Sequence, residues 1–442
     1  MRAPARRWWR GLHLVLLLVT LVALGGGAAT TATPAHAPAA ISILSDLARS
    51  NFPDGITFRL TATSPRTISR VELYYNVVGQ ETLNLETPPI EAGGRVVALV
   101  HEVELDGGAL PPGLEISYFW RLIDRDGGSF DTEPGRVAWE DTRFSWDILG
   151  NDLVTVHSYQ RDDAFNQALL DSATRTIDTL QTNYGVRLRD PVRIWIYASS
   201  DDLYSALRPN SEPWLAGAAY PALGLVLGIV PADDPSEMGR LIPHEVSHLV
   251  LYQATLNPFN TPPTWLDEGL ATLVQEEPEA AYPIVLTAAI DEGRLDSLHA
   301  LGGAFPYDTD DALLAYAESV SVVRFILREY GEDGLARLIA VLRQGVTDEQ
   351  AVEQALAISL DDLTIAWHNA LATDDGSLIG AIEARGFGRF GGDEAVLLAS
   401  GAAIMGVVAL LALLSGALAM RRGRLRDDPD EREAAGASSR VV

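Results

Sequence analysis

His244-Glu245-Val246-Ser247-His248 stands inside a run, Glu237 to about Thr255, that reads as helix. On a helix, residues i and i+4 project from one face about one turn apart, so two imidazoles at this spacing suit a single metal ion. Glu245 occupies the neighbouring helical position, which aims it at an attacking water rather than at the ion, and it is the expected general base. Leu241, Leu249 and Tyr252 indicate a packed helix face. Pro243 precedes His244 and has no backbone N–H, so the helix is expected either to start late or to kink there.

A catalytic zinc ion commonly takes three protein ligands and leaves one position open. Twenty residues past His248, Trp265-Leu266-Asp267-Glu268-Gly269-Leu270-Ala271 sets a carboxylate in an apolar frame, behind the turn signal Pro262-Pro263. A chain reversed at that turn brings Glu268 to face the histidines. The expected cofactor is therefore one Zn2+ per chain on His244, His248 and Glu268, with no further cofactor site. Zinc of this kind lowers the pKa of water towards about 7 and polarises a carbonyl, which makes amide hydrolysis the expected reaction. Asp267, Asp310 and Asp311 are candidates to support the histidine ligands from behind. His299 and His368 have no partner at ligand spacing and read as structural or surface residues.

The two motifs together resemble the gluzincin zinc metallopeptidases, and Trp265-Leu266-Asp267-Glu268-Gly269 is similar to the Trp-Leu-Asn-Glu-Gly string of zinc aminopeptidases. The run from about Tyr159 to Ala372 resembles the peptidase MA-like family more closely. That resemblance implies a zincin-like, thermolysin-like α+β catalytic domain, His244, His248 and Glu268 as ligands, Glu245 as base, and Leu223 to Val230 as an edge strand along which an extended peptide lies. Tyr316 resembles a family position from which a tyrosine could donate to the oxyanion, while the aliphatic residues around it favour a helix-packing tyrosine. Asp267 stands where the aminopeptidases often carry Asn, and no Gly-Ala-Met-Glu-Asn string precedes the metal helix, so an endopeptidase is expected.

Working outward, Ala164, Leu169, Ala173, Ile177, Leu180 and Tyr184 trace a helix of about five turns. A strand at Val192 to Tyr197, a short helix near Asp201 to Leu207 and a second strand at Leu223 to Val230 precede the metal helix. Everything from Ala281 to Ala372 reads as helical, with turns at Gly331 and Gly345 and a loop from Gly302 to Asp310. Further upstream the period becomes two: Ile56, Phe58, Leu60, Ala62; Val71, Leu73, Tyr75, Val77; Ile116, Tyr118, Trp120, Leu122. With turn formers between them these predict an all-β immunoglobulin-like or fibronectin-like sandwich, a spacer or adhesion module without chemistry of its own.

The ends carry targeting signals. Arg2, Arg6, Arg7 and Arg10 followed by the apolar Leu12–Leu24 read as a secretory leader ending at Ala37. Ala395–Met420 is 26 residues without a charge, enough for one transmembrane helix. Arg421, Arg422, Arg424 and Arg426 follow at once and orient it with the body outside and the C-terminus in the cytoplasm. The expected organisation is leader 1–37, sandwich 38–147, metallopeptidase domain 148–385, stalk 386–394, span 395–420 and cytoplasmic tail 421–442. Between leader and span the chain carries 23 Arg against 55 acidic residues, near −32, which opposes nucleic-acid binding. There is no Cys, so stability rests on the core and on bound metal. The expected partners are a peptide or protein substrate and, through one span, a membrane. An inactive surface scaffold on a peptidase fold is the rival reading.

Overall fold

The computed structural model describes residues 41–379 apart from 91–93, 106–109, 208–216, 232–233, 235, 307 and 375. The expected leader, stalk, span and tail lie outside the described residues. Among the described residues no helix is long and apolar enough to cross a membrane.

The first part of the chain is antiparallel β: β1 (Ser42–Asn51), β2 (Gly55–Val77), β3 (Asn84–Glu86), β4 (Gly94–Glu104), β5 (Leu114–Asp124), β6 (Ser129–Asp131) and β7 (Gly135–Trp139). β2 is long enough to serve two layers. Its first half, Gly55 to Thr63, pairs with β1 on one side and β4 on the other, and its second half, from Ile68, pairs with β5 and β3. The register shifts between Thr63 and Ile68, around Pro65, which has no N–H to give a ladder. Hydrogen bonds through β2 therefore join all seven strands into one folded sheet, where separate sandwich sheets were expected. The period-two residues face inward as predicted, with Ile56, Phe58, Leu60, Leu73, Ile116, Trp120 and Leu122 buried.

A second, mixed sheet has the order β11-β12-β10-β9-β8, built from β8 (Asp147–Gly150), β9 (Val154–Ser158), β10 (Val192–Tyr197), β11 (Gly217–Tyr220) and β12 (Leu225–Ile229). β9, β10 and β12 are parallel, and β8 and β11 close the sheet antiparallel at its two edges. The segment Leu223 to Val230, expected as the edge strand, is thus interior. A 3-10 turn at Pro221–Leu223, ended by Gly224 at φ 60°, folds β11 back along β12, and β11 becomes the edge beside the metal helix.

Alternation along this sheet sends its side chains to two different cores. Val154, Val156, Ile194, Ile196 and Val226 face the helices. Trp195, Tyr197, Leu225, Leu227 and Ile229 join Phe58, Trp120 and Trp139 in a core shared with the first sheet. Trp146, Tyr159 and Phe144 pack edge-on or stacked around Trp195 and Tyr197, and Tyr197 Oη donates to the buried Asp141 carboxylate at 3.0 Å. Gly113 lies so close under the Trp195 ring that a Cβ there would fall 2.6 Å from Nε1.

The helices are α1 (Asp163–Tyr184), α2 (Ser200–Tyr204), α3 (Ser236–Thr255), α4 (Thr264–Leu273), α5 (Tyr282–Glu292), α6 (Leu298–Leu301), α7 (Thr309–Leu342), α8 (Asp348–Leu356) and α9 (Leu360–Leu371). The predicted turn at Gly331 is a kink inside α7, where φ is 70°. α3 runs through Pro243. Proline leaves the carbonyl four residues earlier without its helical donor, and here that carbonyl, Gly239 O, accepts from Glu276 N at 2.9 Å. The gap in the helix's ladder is filled by the segment that follows α4.

Candidate metal centre

α3 presents His244 and His248 from one face, their rings 4.9 Å apart. α4 crosses that face and brings Glu268 to both: Oε2 lies 3.5 Å from His244 Nε2 and 3.7 Å from His248 Nε2. Glu268 reaches this depth because α4 packs tightly on α7. At Gly269 a Cβ would collide with the Ser319 carbonyl oxygen and approach Val323 Cγ2 to 2.7 Å, so the glycine after Glu268 is what permits the contact. Among the described residues, His244, His248 and Glu268 form the one group of three or more potential ligands whose donor atoms all lie within 4.8 Å of one another.

The donor set fits a zinc ion by its chemistry and by what it leaves unsatisfied. Buried polar atoms are nearly always hydrogen-bonded, yet His248 Nε2, Glu268 Oε2, Glu245 Oε2 and Tyr316 Oη are buried here without a partner. Two imidazole nitrogens and one carboxylate oxygen are the three-ligand set of hydrolytic zinc sites.

Both histidines are held from behind. His248 Nδ1 lies 2.8 Å from Asp267 Oδ1, and His244 Nδ1 lies 2.9 Å from Gln275 Nε2. Of the three aspartates expected in this role, Asp267 takes it. Asp310 and Asp311 instead open α7, where their backbone N–H groups bond the Asp308 carboxylate. Gln275 escaped the sequence reading. It lies two residues past the end of α4, outside the helix, so no helical spacing points to it.

Electrostatics in the closed site are set by burial. Desolvation pushes Glu245 up to about 7 against the lowering effect of His248 and Arg240. It raises Glu268 as well. For His248, burial opposes the charged form, but Asp267, Glu268 and Glu245 outweigh it and lift the pKa to about 10. His244 moves the other way: burial, then the charges of His248 and Arg240, hold it well below the usual range and therefore neutral. Arg240, one turn before His244, is fixed by Glu237 Oε2 at 3.0 Å.

The remaining neighbours are β11 and an aromatic wall. A Cβ on Gly217 would fall 2.5 Å from Leu241 Cδ1 and 3.4 Å from Glu245 Oε1, so β11 lies directly on the metal helix beside the expected base. The Ala219 backbone N–H donates to the Glu245 carboxylate. Tyr316 stands 6.4 Å, ring to ring, from His244 and from Tyr282, with Phe305 edge-on at 5.1 Å. The two other histidines singled out in the helical part lie elsewhere: His299 pairs with Glu349 and Asp361 at the surface, and His368 Nε2 lies 2.9 Å from Asp296 O.

The profile of a family described as the peptidase MA superfamily matches residues 172–373. No curated protein matches the sequence. Similar solved structures include a two-domain M1 zinc metallopeptidase variant bound to L-arginine, at 14% identity over 74% of this chain and 94% of that one, with a TM-score of 0.35. An aminopeptidase N family protein from Idiomarina loihiensis is similar at 9% identity over 73% of this chain and 70% of that one, with a TM-score of 0.26. The span that the family profile matches contains the metal helix, the glutamate helix and the supports behind them, so the candidate site lies in the part of the chain that is similar to the peptidase MA superfamily.

Proposed function

We propose that the protein is an extracytoplasmic zinc metallopeptidase, an endopeptidase held at the membrane by a single C-terminal span, with Glu245 as its general base. The observation that carries this reading is the convergence of His244 Nε2, His248 Nε2 and Glu268 Oε2 with the buried, unpartnered Glu245 carboxylate oxygen beside them. One zinc ion per chain on these three ligands supplies Lewis acidity, which polarises the scissile carbonyl and acidifies the attacking water.

The chain's own groups do the rest. Glu245 takes the water's proton and returns it to the leaving amine. The Ala219 N–H keeps its carboxylate oriented. Tyr316 Oη, buried and unpaired, donates to the oxyanion. The edge of β11 away from β12, which pairs with no other strand among the described residues, takes an extended peptide backbone. β11 reads Gly217-Ala218-Ala219-Tyr220 and carries no carboxylate to hold a free α-amino group, which favours cleavage within a chain.

The membrane assignment rests on the sequence: leader 1–37, uncharged stretch 395–420 and the arginines after it. The seven-stranded first sheet braces the catalytic part of the chain, with which it shares a core. Metal analysis of the full chain alongside His248→Ala, with a blocked internal peptide as substrate, tests the enzyme. About one zinc per chain and internal cleavage, both lost in the variant, are expected; no metal in either returns the inactive scaffold. External protease on intact cells tests the topology, removing the body and sparing the arginine-rich tail; loss of the tail instead would invert the orientation.

A further inference from the structure

A neutral imidazole binds a metal through one ring nitrogen only when the other carries the proton, so the group facing Nδ1 decides whether Nε2 is available. At His248 the matter is closed by chemistry: the Asp267 carboxylate only accepts, which keeps the proton on Nδ1. At His244 the partner is an amide, which can accept or donate. With Gln275 Nε2 turned towards the ring, Nδ1 would accept and Nε2 would hold the proton, facing Glu268 as a donor rather than a ligand. In that orientation Gln275 Oε1 is buried without any hydrogen bond. Exchanging the amide's oxygen and nitrogen, groups of the same shape, gives Oε1 a donor in His244 Nδ1–H and frees His244 Nε2.

The glutamine is held where this matters. The next residue, Glu276, bonds the Gly239 carbonyl that Pro243 leaves open, and its carboxylate pairs with Arg175 at 2.8 Å. The segment is thereby tied to the helix that carries His244. We propose that Gln275 is a positioning residue that holds His244 as its Nδ1–H tautomer through Oε1, leaving Nε2 free for the metal ion. The proposal rests on the metal-site reading above and adds an uncharged second support to the charged one at His248.

The test uses the full chain and two variants. Gln275→Met keeps length but has no acceptor oxygen; Gln275→Glu presents acceptors only. In metal-free protein, long-range proton–nitrogen correlations on the histidine rings report the tautomer. Nδ1–H at His244 is expected in wild type and Gln275→Glu, and loss of that tautomer in Gln275→Met. Zinc affinity by competition with a chromogenic chelator should fall about 10- to 100-fold in Gln275→Met and recover in Gln275→Glu. Wild type with the proton on Nε2, or Gln275→Met indistinguishable from wild type in both readouts, would overturn the proposal. If Gln275→Met does not fold, the tautomer in wild type and Gln275→Glu still decides. Wild type that binds no zinc but shows the Nδ1–H tautomer would sink the metal-site reading and leave the hydrogen bond standing.

Discussion

Asp267 Oδ1 lies 2.8 Å from His248 Nδ1, and Asp267 is the residue immediately before Glu268. One turn of α4 thus supplies both a candidate ligand and the carboxylate that meets a candidate ligand on another helix. Asp267→Ala should lower zinc affinity about 10- to 100-fold, and Asp267→Asn, which still offers an acceptor oxygen, should cost less. Competition with a chelator measures both, and Asp267→Ala with wild-type affinity would deny the support any role.

Glu245→Gln should keep the metal and lose turnover by at least about 10²-fold, because the amide cannot take a proton. Metal content and peptide cleavage, measured on the same sample, separate this from a folding defect. Full activity in the variant would remove Glu245 from the mechanism.

Stability should depend on pH in a way that zinc reverses. His248, raised to about 10, and Glu245 and Glu268, raised by burial, all hold protons in the metal-free fold above their ordinary values. Such groups favour the fold most at low pH, and their contribution is lost as pH climbs through the raised values. The metal-free protein should therefore melt lower at pH 9 than at pH 6, while the increase in Tm on adding zinc grows over the same interval as protons cease to compete. A zinc increment that shrinks with rising pH would contradict the ligand assignment.

Gly269→Ala should destabilise by about 1–3 kcal/mol as α4 is pushed from α7. Since the same helix carries Glu268, zinc affinity should fall with it. Denaturant melts with and without zinc test whether the loss is larger in the zinc-bound state.

A chain beginning at residue 148 should fail to fold as a soluble unit. It would expose Trp195, Tyr197, Leu225 and Leu227, all buried against the first sheet. Far-ultraviolet circular dichroism and gel filtration would report aggregation; a monomeric, zinc-binding fragment would show the first sheet to be dispensable.

The two histidines and Glu245 were legible because their relation is local: four residues on a helix fix it. Glu268 was legible from its apolar frame. β11 was not, because Gly217-Ala218-Ala219 has little strand preference, and what makes it a strand is pairing with β12 and its seat on α3. Leu223 to Val230 was read as a strand; Leu225–Ile229 is one, Leu223 belongs to the turn before it, and the strand was placed at the wrong position in the sheet, since pairing order is not encoded in periodicity. Val192 to Tyr197 was read as a strand, but nothing in that reading says that one of its faces packs against the first sheet. Gln275 lies just past the end of α4, where neither helix pattern nor motif continues.

Pro243 was expected to disturb its helix, and its effect instead appears between helices. Without Glu276, α3 lacks one bond of its ladder; without α3, the segment after α4 lacks its anchor. The bond that completes the first helix is thus the one that seats the segment after the second, so shifting either helix leaves a backbone polar group on the other without its partner.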